Sequence, residues 1–233
     1  MSKLSTQLPL AVRANVKATF DNFHPGRNGE LISLIRESLS ISPEGPLYLF
    51  GSPGAGKTHL LYAICNAAEK KNLTSAYLPL AENECLDPEI LSGMGALNVV
   101  CIDNIDAITG NLTWETALFN LLNASRESGN RIVICADCPL ASLNLNLPDL
   151  GSRLSWGLTY RIIELNDDEK AEALINLAGE KGMEMSVDVA AYIVRHHMRD
   201  SKALFTLLDR LDEATLIEQR LLTIPFVRTF LSS

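Results

Sequence analysis

A glycine-rich octapeptide in the first quarter of the chain carries the residue types of a phosphate-binding loop. Residues 51–58 read Gly-Ser-Pro-Gly-Ala-Gly-Lys-Thr, which matches G-x-x-x-x-G-K-[ST] and directly follows an apolar run at 47–50. The glycines allow the backbone to turn its N–H groups around a phosphate, and the positive end of the following helix adds to the attraction. Lys57 is expected to reach the β- and γ-phosphates, and the Thr58 hydroxyl is expected to bind Mg²⁺.

A phosphate loop needs a second acidic strand end to hold its metal, and Asp103 follows the apolar run at 99–102. Many mechanical ATPases place a carboxylate at the next position, where it accepts a proton from the attacking water, but here Asn104 follows. An uncharged amide can orient water but is a poor base, and Asp106 is the alternative base. These residues predict nucleotide binding with weak or no intrinsic ATP hydrolysis.

The elements that must position these residues follow an alternating pattern up to residue 165. Short apolar runs bounded by turn residues predict five strands, and stretches of helical period between them predict helices. Strands alternating with helices imply crossovers, so the fold class is α/β, with a parallel five-stranded sheet flanked by helices. The predicted strands lie at about 47–50, 74–79, 97–102, 131–136 and 159–164, and the helices at about 31–39, 57–71, 86–92 and 114–128.

The pattern changes after residue 165, where only helices are predicted. Asn166 and Glu169 have the spacing of a helix-capping pair. An apolar stripe follows at the i, i+3, i+4 and i+7 positions 204, 207, 208 and 211, which indicates plain core packing. We therefore expect a flexible tail at 1–19, an α/β nucleotide-binding domain at 20–165 and a small all-helical lid domain at 166–233.

Composition excludes several classes of protein. The 20 lysines and arginines against 28 aspartates and glutamates leave a formal net charge of −8, which argues against a surface that binds mainly through phosphate neutralisation. No apolar run approaches the roughly 20 residues of a membrane helix, and the N-terminus lacks a secretory signal, so a cytoplasmic protein without a membrane is expected. Cys135 and Cys138 form a lone C-x-x-C without a second ligand pair, which favours thiols over a zinc site.

Two further segments carry a family resemblance. Residues 19–23 read Thr-Phe-Asp-Asn-Phe, and residues 152–158 read Ser-Arg-Leu-Ser-Trp-Gly-Leu. Together with the phosphate loop and Asp103, their order and spacing resemble the AAA+ core of the bacterial DnaA/Hda family. The resemblance covers nearly the whole chain and is closer to the Hda branch of the family.

The resemblance implies roles for individual residues. It makes Arg153 an arginine finger that acts in trans, Asp137 the sensor 1 residue and Arg199 the sensor 2 residue. Arg153 could instead be an ordinary surface arginine, and Arg199 could pair with Asp200 or cap a helix. With Asp103 and Asn104, Arg153 and Asp137 form the expected catalytic set. The expected nucleotide contacts are Phe23, which is alternatively a core aromatic, Pro53, Gly54, Ala55, Gly56, Lys57, Thr58, His59 and Arg199, and the expected metal ligands are Thr58 and Asp103.

The N-terminal tail contains a second short motif. Residues 7–12 read Gln-Leu-Pro-Leu-Ala-Val and resemble the peptide with which bacterial proteins bind the sliding clamp, the DNA polymerase III beta subunit. Gln7 offers amide donors and an acceptor, while Leu8, Leu10 and Val12 offer apolar anchors. The alternative is a tail with no partner. The chain stops at Ser233, so we expect it to lack the helix-turn-helix domain of DnaA and to have no sequence-specific DNA binding of its own.

The resemblance implies a function in replication control. With ADP or ATP and Mg²⁺ as cofactors, the protein is expected to act with the DNA-loaded clamp and to stimulate hydrolysis of DnaA-bound ATP, as a negative regulator of initiation whose active form holds ADP. One alternative is a DnaC-like helicase loader, which should carry an N-terminal helicase-binding domain. The other is a self-sufficient AAA+ ATPase, which would want a carboxylate at position 104. Formation of a homo-oligomer is also compatible with the sequence.

Overall fold

Five parallel strands form the centre of the fold. They are β1 (Leu47–Phe50), β2 (Ser75–Pro79), β3 (Val99–Asp103), β4 (Arg131–Ala136) and β5 (Leu158–Arg161). Their order is β2-β3-β4-β1-β5, and every neighbouring pair is parallel. The computed structural model describes residues 18–39, 45–196, 201–218 and 221–232.

Helices cover both faces of this sheet. They are α1 (Gly29–Ser38), α2 (Lys57–Lys70), α3 (Leu112–Ser128) and α4 (Pro148–Leu154). Side chains alternate along each strand, so Tyr48 packs towards α3 and α4 whereas Leu47 and Leu49 pack towards α1 and α2. The predicted α/β class with a five-stranded parallel sheet is therefore confirmed.

The prediction of a helix at 86–92 is wrong. One 3-10 segment, Leu80–Cys85, ends before this range, and a second, Pro88–Ala96, begins within it. The residue before a proline is driven out of the α region, and Asp87 accordingly has φ −94° and ψ 132°. The Asp87 carboxylate accepts a hydrogen bond from Glu89 N and starts the second segment. The proline thus interrupts what the apolar spacing alone suggested was one helix.

Strand β5 is shorter than the predicted 159–164. After Ile162, whose N–H still bonds to Phe50 O, the backbone leaves the sheet because a side chain supplies its next partners. Asn28, which is buried, accepts a bond from Ile163 N and donates one to Ile163 O, both at 2.8 Å. A side-chain amide can satisfy both backbone groups at once, so it ends the strand without an unpaired group.

The C-terminal helical unit consists of α5 (Asp167–Glu180), α6 (Val187–His196), α7 (Ser201–Glu218) and α8 (Ile224–Ser232). Asn166 and Glu169 form the predicted reciprocal cap of α5. The predicted apolar stripe is buried in this unit's own core, which it shares with Leu174 and Val227. Among the residues that the structure describes, no helix combines the length and apolar character needed to cross a membrane.

A buried carboxylate ties α3 to α4. Glu115 is fully buried, and its Oε1 accepts bonds from Gly110 N at 2.7 Å and Asn146 N at 3.2 Å. Its Oε2 accepts a bond from Leu147 N at 2.7 Å. A buried charge is tolerated only when hydrogen bonds replace its lost hydration, and three backbone donors do so here. This contact sets the start of α4, the helix that carries Arg153.

Replacing Glu115 by Ala should lower the free energy of unfolding by about 3 kcal/mol, because three backbone donors lose their acceptor. Denaturant titration would measure the loss. Glu127→Ala is the matched control, since Glu127 lies on the same helix but is exposed, and it should change stability by less than about 0.5 kcal/mol. Equal effects of the two substitutions would contradict the assigned role of Glu115.

Candidate functional site

The glycine-rich loop at 51–58 joins the end of β1 to the start of α2. Gly54 and Gly56 have φ of +83° and +96°, values that residues with a side chain rarely adopt. A Cβ on Gly56 would also lie 2.7 Å from Cε2 of Phe23, so this position needs glycine for two reasons. The aromatic ring therefore lies directly against the loop, at the edge where the strands end.

The Lys57 ammonium is buried and held by three acceptors. Its Nζ donates to Gly51 O at 2.7 Å and to Ser52 O at 2.9 Å, and it lies 2.8 Å from Asp137 Oδ1. Asp137 comes directly after β4, so the sensor 1 candidate and the loop lysine are in contact. An ammonium group has three N–H donors and all three are engaged here, so a phosphate oxygen would bind Lys57 in place of one of these acceptors.

The two candidate metal ligands are also in contact. Thr58 Oγ1 donates to Asp103 Oδ2 at 2.6 Å, and Asp103 is almost fully buried. Tyr77 OH donates to the same Oδ2 at 3.0 Å, and Asn104 N donates to Oδ1 at 3.1 Å. Burial, together with the charge of Asp103, raises the pKa of Tyr77, so its hydroxyl stays a donor. The carboxylate is thus held from three sides.

The sequence analysis does not identify Tyr77 as a site residue. The register of β2 against β3 pairs Pro79 with Asp103, so Tyr77, two residues earlier, points to the same face of the sheet as Asp103. The only signal in the sequence is one hydroxyl within an apolar strand. Tyr62 stacks on Tyr77 with ring centroids 4.3 Å apart and limits its movement.

The two candidates for activating water lie in different settings. Asn104 has φ 58° and ψ 51°, a left-handed conformation that asparagine tolerates better than most residues. Asp106 lies in the short 3-10 segment Ile105–Ile108, and its Oδ1 accepts a bond from Asp137 N at 3.1 Å. Asp106 therefore has a structural contact of its own, and its role as a base stays a prediction.

The aromatic segment at 18–23 is tied to α2. His59 Nε2 lies 3.0 Å from Thr19 O, and Asn66 Nδ2 donates to Ala18 O at 2.6 Å. The rings of Phe23 and His59 are 5.4 Å apart. Burial lowers the pKa of His59, so its imidazole is neutral at pH 7. Phe23 and His59 were both expected to contact nucleotide, and they line one cavity.

That cavity has a volume of about 870 Å³ and lies between the loop, the aromatic segment and the C-terminal helical unit. Its volume falls within the range of ligand pockets. Gly54, Ala55 and Gly56 form one wall, while Pro53, Lys57 and Thr58 are not part of its lining. The C-terminal helical unit contributes residues that the sequence analysis missed, because apolar helix positions look like core and polar ones like ordinary surface: Asn176, Leu177, Lys181, Phe205 and Asp209.

A polar chain connects the loop to the C-terminal helical unit. Ser52 Oγ donates to Glu164 Oε2 at 3.1 Å, and Lys170 Nζ of α5 donates to Glu164 Oε1 at 2.8 Å. The hydrogen bond from Lys170 lowers the pKa of Glu164, which is therefore ionised at pH 7. This carboxylate therefore connects the loop to α5.

Arg153 lies on α4 and does not contribute to this cavity. Its guanidinium Cζ is 3.7 Å from the ring centroid of Trp156 and 5.5 Å from that of Phe119. Neither aromatic residue belongs to the loop or lines the cavity. The structure thus brings together Lys57, Thr58, Asp103 and Asp137, and leaves Arg153 elsewhere.

Five predicted site residues lie outside the described residues: Arg199 and the tail residues Gln7, Leu8, Leu10 and Val12.

The two cysteines of the C-x-x-C segment are free thiols. Cys135 is buried and Cys138 is partly exposed. In the part of the chain that is described, no group of three or more His, Cys, Asp or Glu side chains could hold a metal ion.

Solved structures of DnaA have a similar fold. Domain III of the Thermotoga maritima replication initiation protein DnaA is 22% identical with a TM-score of 0.76, over 89% of this chain and 92% of that one. A replication initiator DnaA bound to AMPPCP and single-stranded DNA is 21% identical with a TM-score of 0.73, over 89% and 70%. DnaI is 18% identical with a TM-score of 0.55, over 65% and 90%.

Family models match two parts of the sequence. The lid domain of Hda matches residues 167–231, and the bacterial DnaA ATPase domain matches residues 14–161, which is more than half of the chain. Both matches agree with the loop, the acidic strand end and the C-terminal helices described above. The chain therefore belongs to the bacterial DnaA ATPase family of AAA+ proteins and carries an Hda-type lid.

Proposed function

We propose that this chain is an Hda-type negative regulator of replication initiation. It binds ADP or ATP, docks on the sliding clamp and stimulates hydrolysis of DnaA-bound ATP with an arginine finger in trans. The observation that carries the proposal is the position of Arg153, whose described contacts are two aromatic rings outside its own phosphate loop and cavity. An arginine held away from its own nucleotide site is suited to act on a partner's site.

The chain's own nucleotide would occupy the loop and the adjoining cavity. The conformation of Gly54 and Gly56 leaves room for backbone N–H groups to approach phosphate, and Lys57 supplies the positive charge. Phe23 and His59 line the adjoining cavity and would face the nucleoside. The AMPPCP-bound DnaA relative supports an adenine nucleotide as the ligand.

Mg²⁺ fits the oxygen donors at the mouth of the loop. The Thr58 hydroxyl and the Asp103 carboxylate are hard oxygen ligands of the kind this ion prefers, and they already lie within hydrogen-bond distance of each other. Bound there, Mg²⁺ would neutralise charge on the phosphate oxygens. The chain's own part is to hold Asp103 in place, which Tyr77 and the backbone of Asn104 do.

The chain's own nucleotide would be structural or regulatory, with the ADP form active. Asn104 lacks a basic group, and Asp106 is engaged by the backbone of Asp137. Hydrolysis by the isolated chain is therefore expected to be slow. The nucleotide would instead keep the C-terminal helical unit in place, since the cavity and the contact of Glu164 with Ser52 and Lys170 both join that unit to the loop.

The reaction stimulated in the partner is phosphoryl transfer to water. Water attacks the γ-phosphorus of ATP held by DnaA, the bond to the β–γ bridging oxygen breaks, and ADP and phosphate are released. Arg153 would place its charge beside the γ-phosphoryl oxygens as negative charge develops there. Arginine fingers of this kind raise hydrolysis rates by about 10³- to 10⁵-fold.

The two alternative functions have less support than the regulator. A DnaC-like helicase loader would share the AAA+ core, but the match to the Hda lid domain favours the regulator. A self-sufficient ATPase would need a base at the acidic strand end, where Asn104 stands in a left-handed conformation. Turnover of several ATP molecules per second by the isolated chain would favour the ATPase instead.

Replacing Tyr77 by Phe should weaken the Mg²⁺-dependent part of nucleotide affinity by about threefold to tenfold, because Asp103 loses one of its donors. Nucleotide titration with Mg²⁺ and with a chelator separates this part from the rest. Tyr160→Phe on β5 is the matched control, since it also removes one strand tyrosine hydroxyl but leaves the bond from Tyr77 to Asp103 in place. A loss of equal size with and without Mg²⁺ would show that Tyr77 acts only on the fold.

Replacing Arg153 by Ala should abolish stimulation of DnaA-bound ATP hydrolysis while ADP affinity, clamp binding and melting temperature stay unchanged. A finger in trans does not contact this chain's own phosphate site. Arg199→Ala should instead change ADP affinity, because a sensor 2 residue reaches its own nucleotide. Both variants are measured in one buffer, by ADP titration and by hydrolysis with clamp-loaded DNA. Weakened ADP binding with preserved stimulation in Arg153→Ala would contradict the trans role.

Replacing Gln7 and Leu8 by Ala should abolish clamp binding and leave ADP affinity and melting temperature unchanged, because residues 1–12 lie outside both family matches. Clamp capture and thermal melting give the two readouts. Ser2 and Ser5 replaced by Ala are the control in the same tail. Clamp binding that survives the Gln7 and Leu8 change would rule the peptide out.

A further inference from the structure

Trp156 holds two arginines and is itself partly exposed. The guanidinium Cζ atoms of Arg153 and Arg126 lie 3.7 and 4.3 Å from its ring centroid. Both guanidinium groups therefore lie within cation–π distance of one indole. Trp156 is 41% exposed, so it reaches the surface beside both charges.

Among the residues that the structure describes, no carboxylate neutralises the charges of these two arginines. Within the described ranges, no carboxylate lies at salt-bridge distance from Arg153 or Arg126, although acidic residues outnumber basic ones in the chain. A carboxylate would fix an arginine but would also occupy its N–H donors and cancel its charge. An aromatic face attracts the cation electrostatically and leaves the N–H edges of the guanidinium available.

Trp156 is itself fixed by the backbone around it. The backbone N–H of Trp156 donates to the backbone carbonyl of Arg153 at 3.2 Å, so the two residues belong to one turn. Gly157 follows, and a Cβ there would lie 1.7 Å from Pro46 O, so the turn presses directly on the chain before β1. Leu158 then begins β5 and pairs with Leu47. Trp156 is therefore connected through Gly157 to β5, the edge strand of the central sheet.

We infer that Trp156 is the positioning residue of the finger: it stacks under the guanidinium of Arg153 and presents it, still charged and with its donors available, to the triphosphate of the partner. This inference rests on the proposed function. A long arginine side chain loses rotamer freedom when it binds, and prior stacking on a fixed ring removes part of that cost before the partner arrives. Trp156 acts through Arg153 and has no role at this chain's own nucleotide.

The test is single-turnover hydrolysis of DnaA-bound ATP against increasing concentrations of this protein on clamp-loaded DNA. Trp156→Leu keeps apolar volume without a π face and should lower the maximal rate by about tenfold, the scale of one cation–π contact. Its half-saturating concentration should stay unchanged. Trp156→Phe restores an aromatic face and should recover most of the rate. ADP affinity and melting temperature of both variants should match the unmodified protein.

Several outcomes would overturn the positioning role. An unchanged maximal rate in Trp156→Leu would do so, and so would a raised half-saturating concentration at full maximal rate, since that marks a docking residue. Failure of Trp156→Phe to recover more rate than Trp156→Leu would also exclude the π contact. Leu112→Ala, which removes exposed apolar surface on α3, should leave the rate unchanged, and an equal loss there would show a generic surface effect.

The results expected if the proposed function is wrong differ from those expected if only the role of Trp156 is wrong. If the unmodified protein stimulates and Arg153→Ala does not, the proposed function stands whatever Trp156 does. If the unmodified protein fails to stimulate, or Arg153→Ala stimulates fully, the proposed function fails and the role of Trp156 fails with it. Tryptophan fluorescence needs no partner: Arg153→Gln should alter the emission of exposed Trp156, and unchanged emission would disprove the contact.

Discussion

The parallel direction of all five strands is the constraint on which the site depends. Parallel strands bring their carboxyl ends to one edge of the sheet, and ligand sites form there. The phosphate loop follows β1, Asp103 ends β3 and Asp137 follows β4. Lys57 contacts Asp137 across the adjacent strands β1 and β4, and Thr58 contacts Asp103 although β4 lies between β1 and β3.

Three polar side chains, two of them buried, hold the parts around this edge in place. Asn28 ends β5, Glu115 sets the start of α4, and Glu164 links Ser52 of the loop to Lys170 of α5. Each one satisfies groups that water would otherwise have to reach, so removing one leaves an uncompensated partner. Apolar packing alone would stabilise the sheet and the helices, but these contacts fix where the strands end and where the C-terminal unit lies against the loop.

Lys57 and Arg153, the two cations of the proposed mechanism, are held by different kinds of contact. Lys57 is buried among oxygen acceptors, which fix it at its own loop. Arg153 is held by aromatic rings, and in the proposed function its charge acts on a site outside the chain. The missing base at Asn104 fits the proposed function, in which a chain that activates hydrolysis in a partner has no need for rapid hydrolysis of its own. Under that proposal, one fold would separate nucleotide binding from stimulation.

Local sequence was sufficient for the features that depend on short-range chemistry. The phosphate loop, the strand before it, the parallel α/β class and the cap formed by Asn166 and Glu169 were all predicted, since each depends on a few adjacent residues or on apolar period. Only tertiary structure decided that Tyr77 holds Asp103 and that Trp156 holds Arg153. The early end of β5 also needed it, because Asn28 lies 135 residues from its partner in the chain. Contacts between segments distant in sequence follow from register and packing, which no local pattern records.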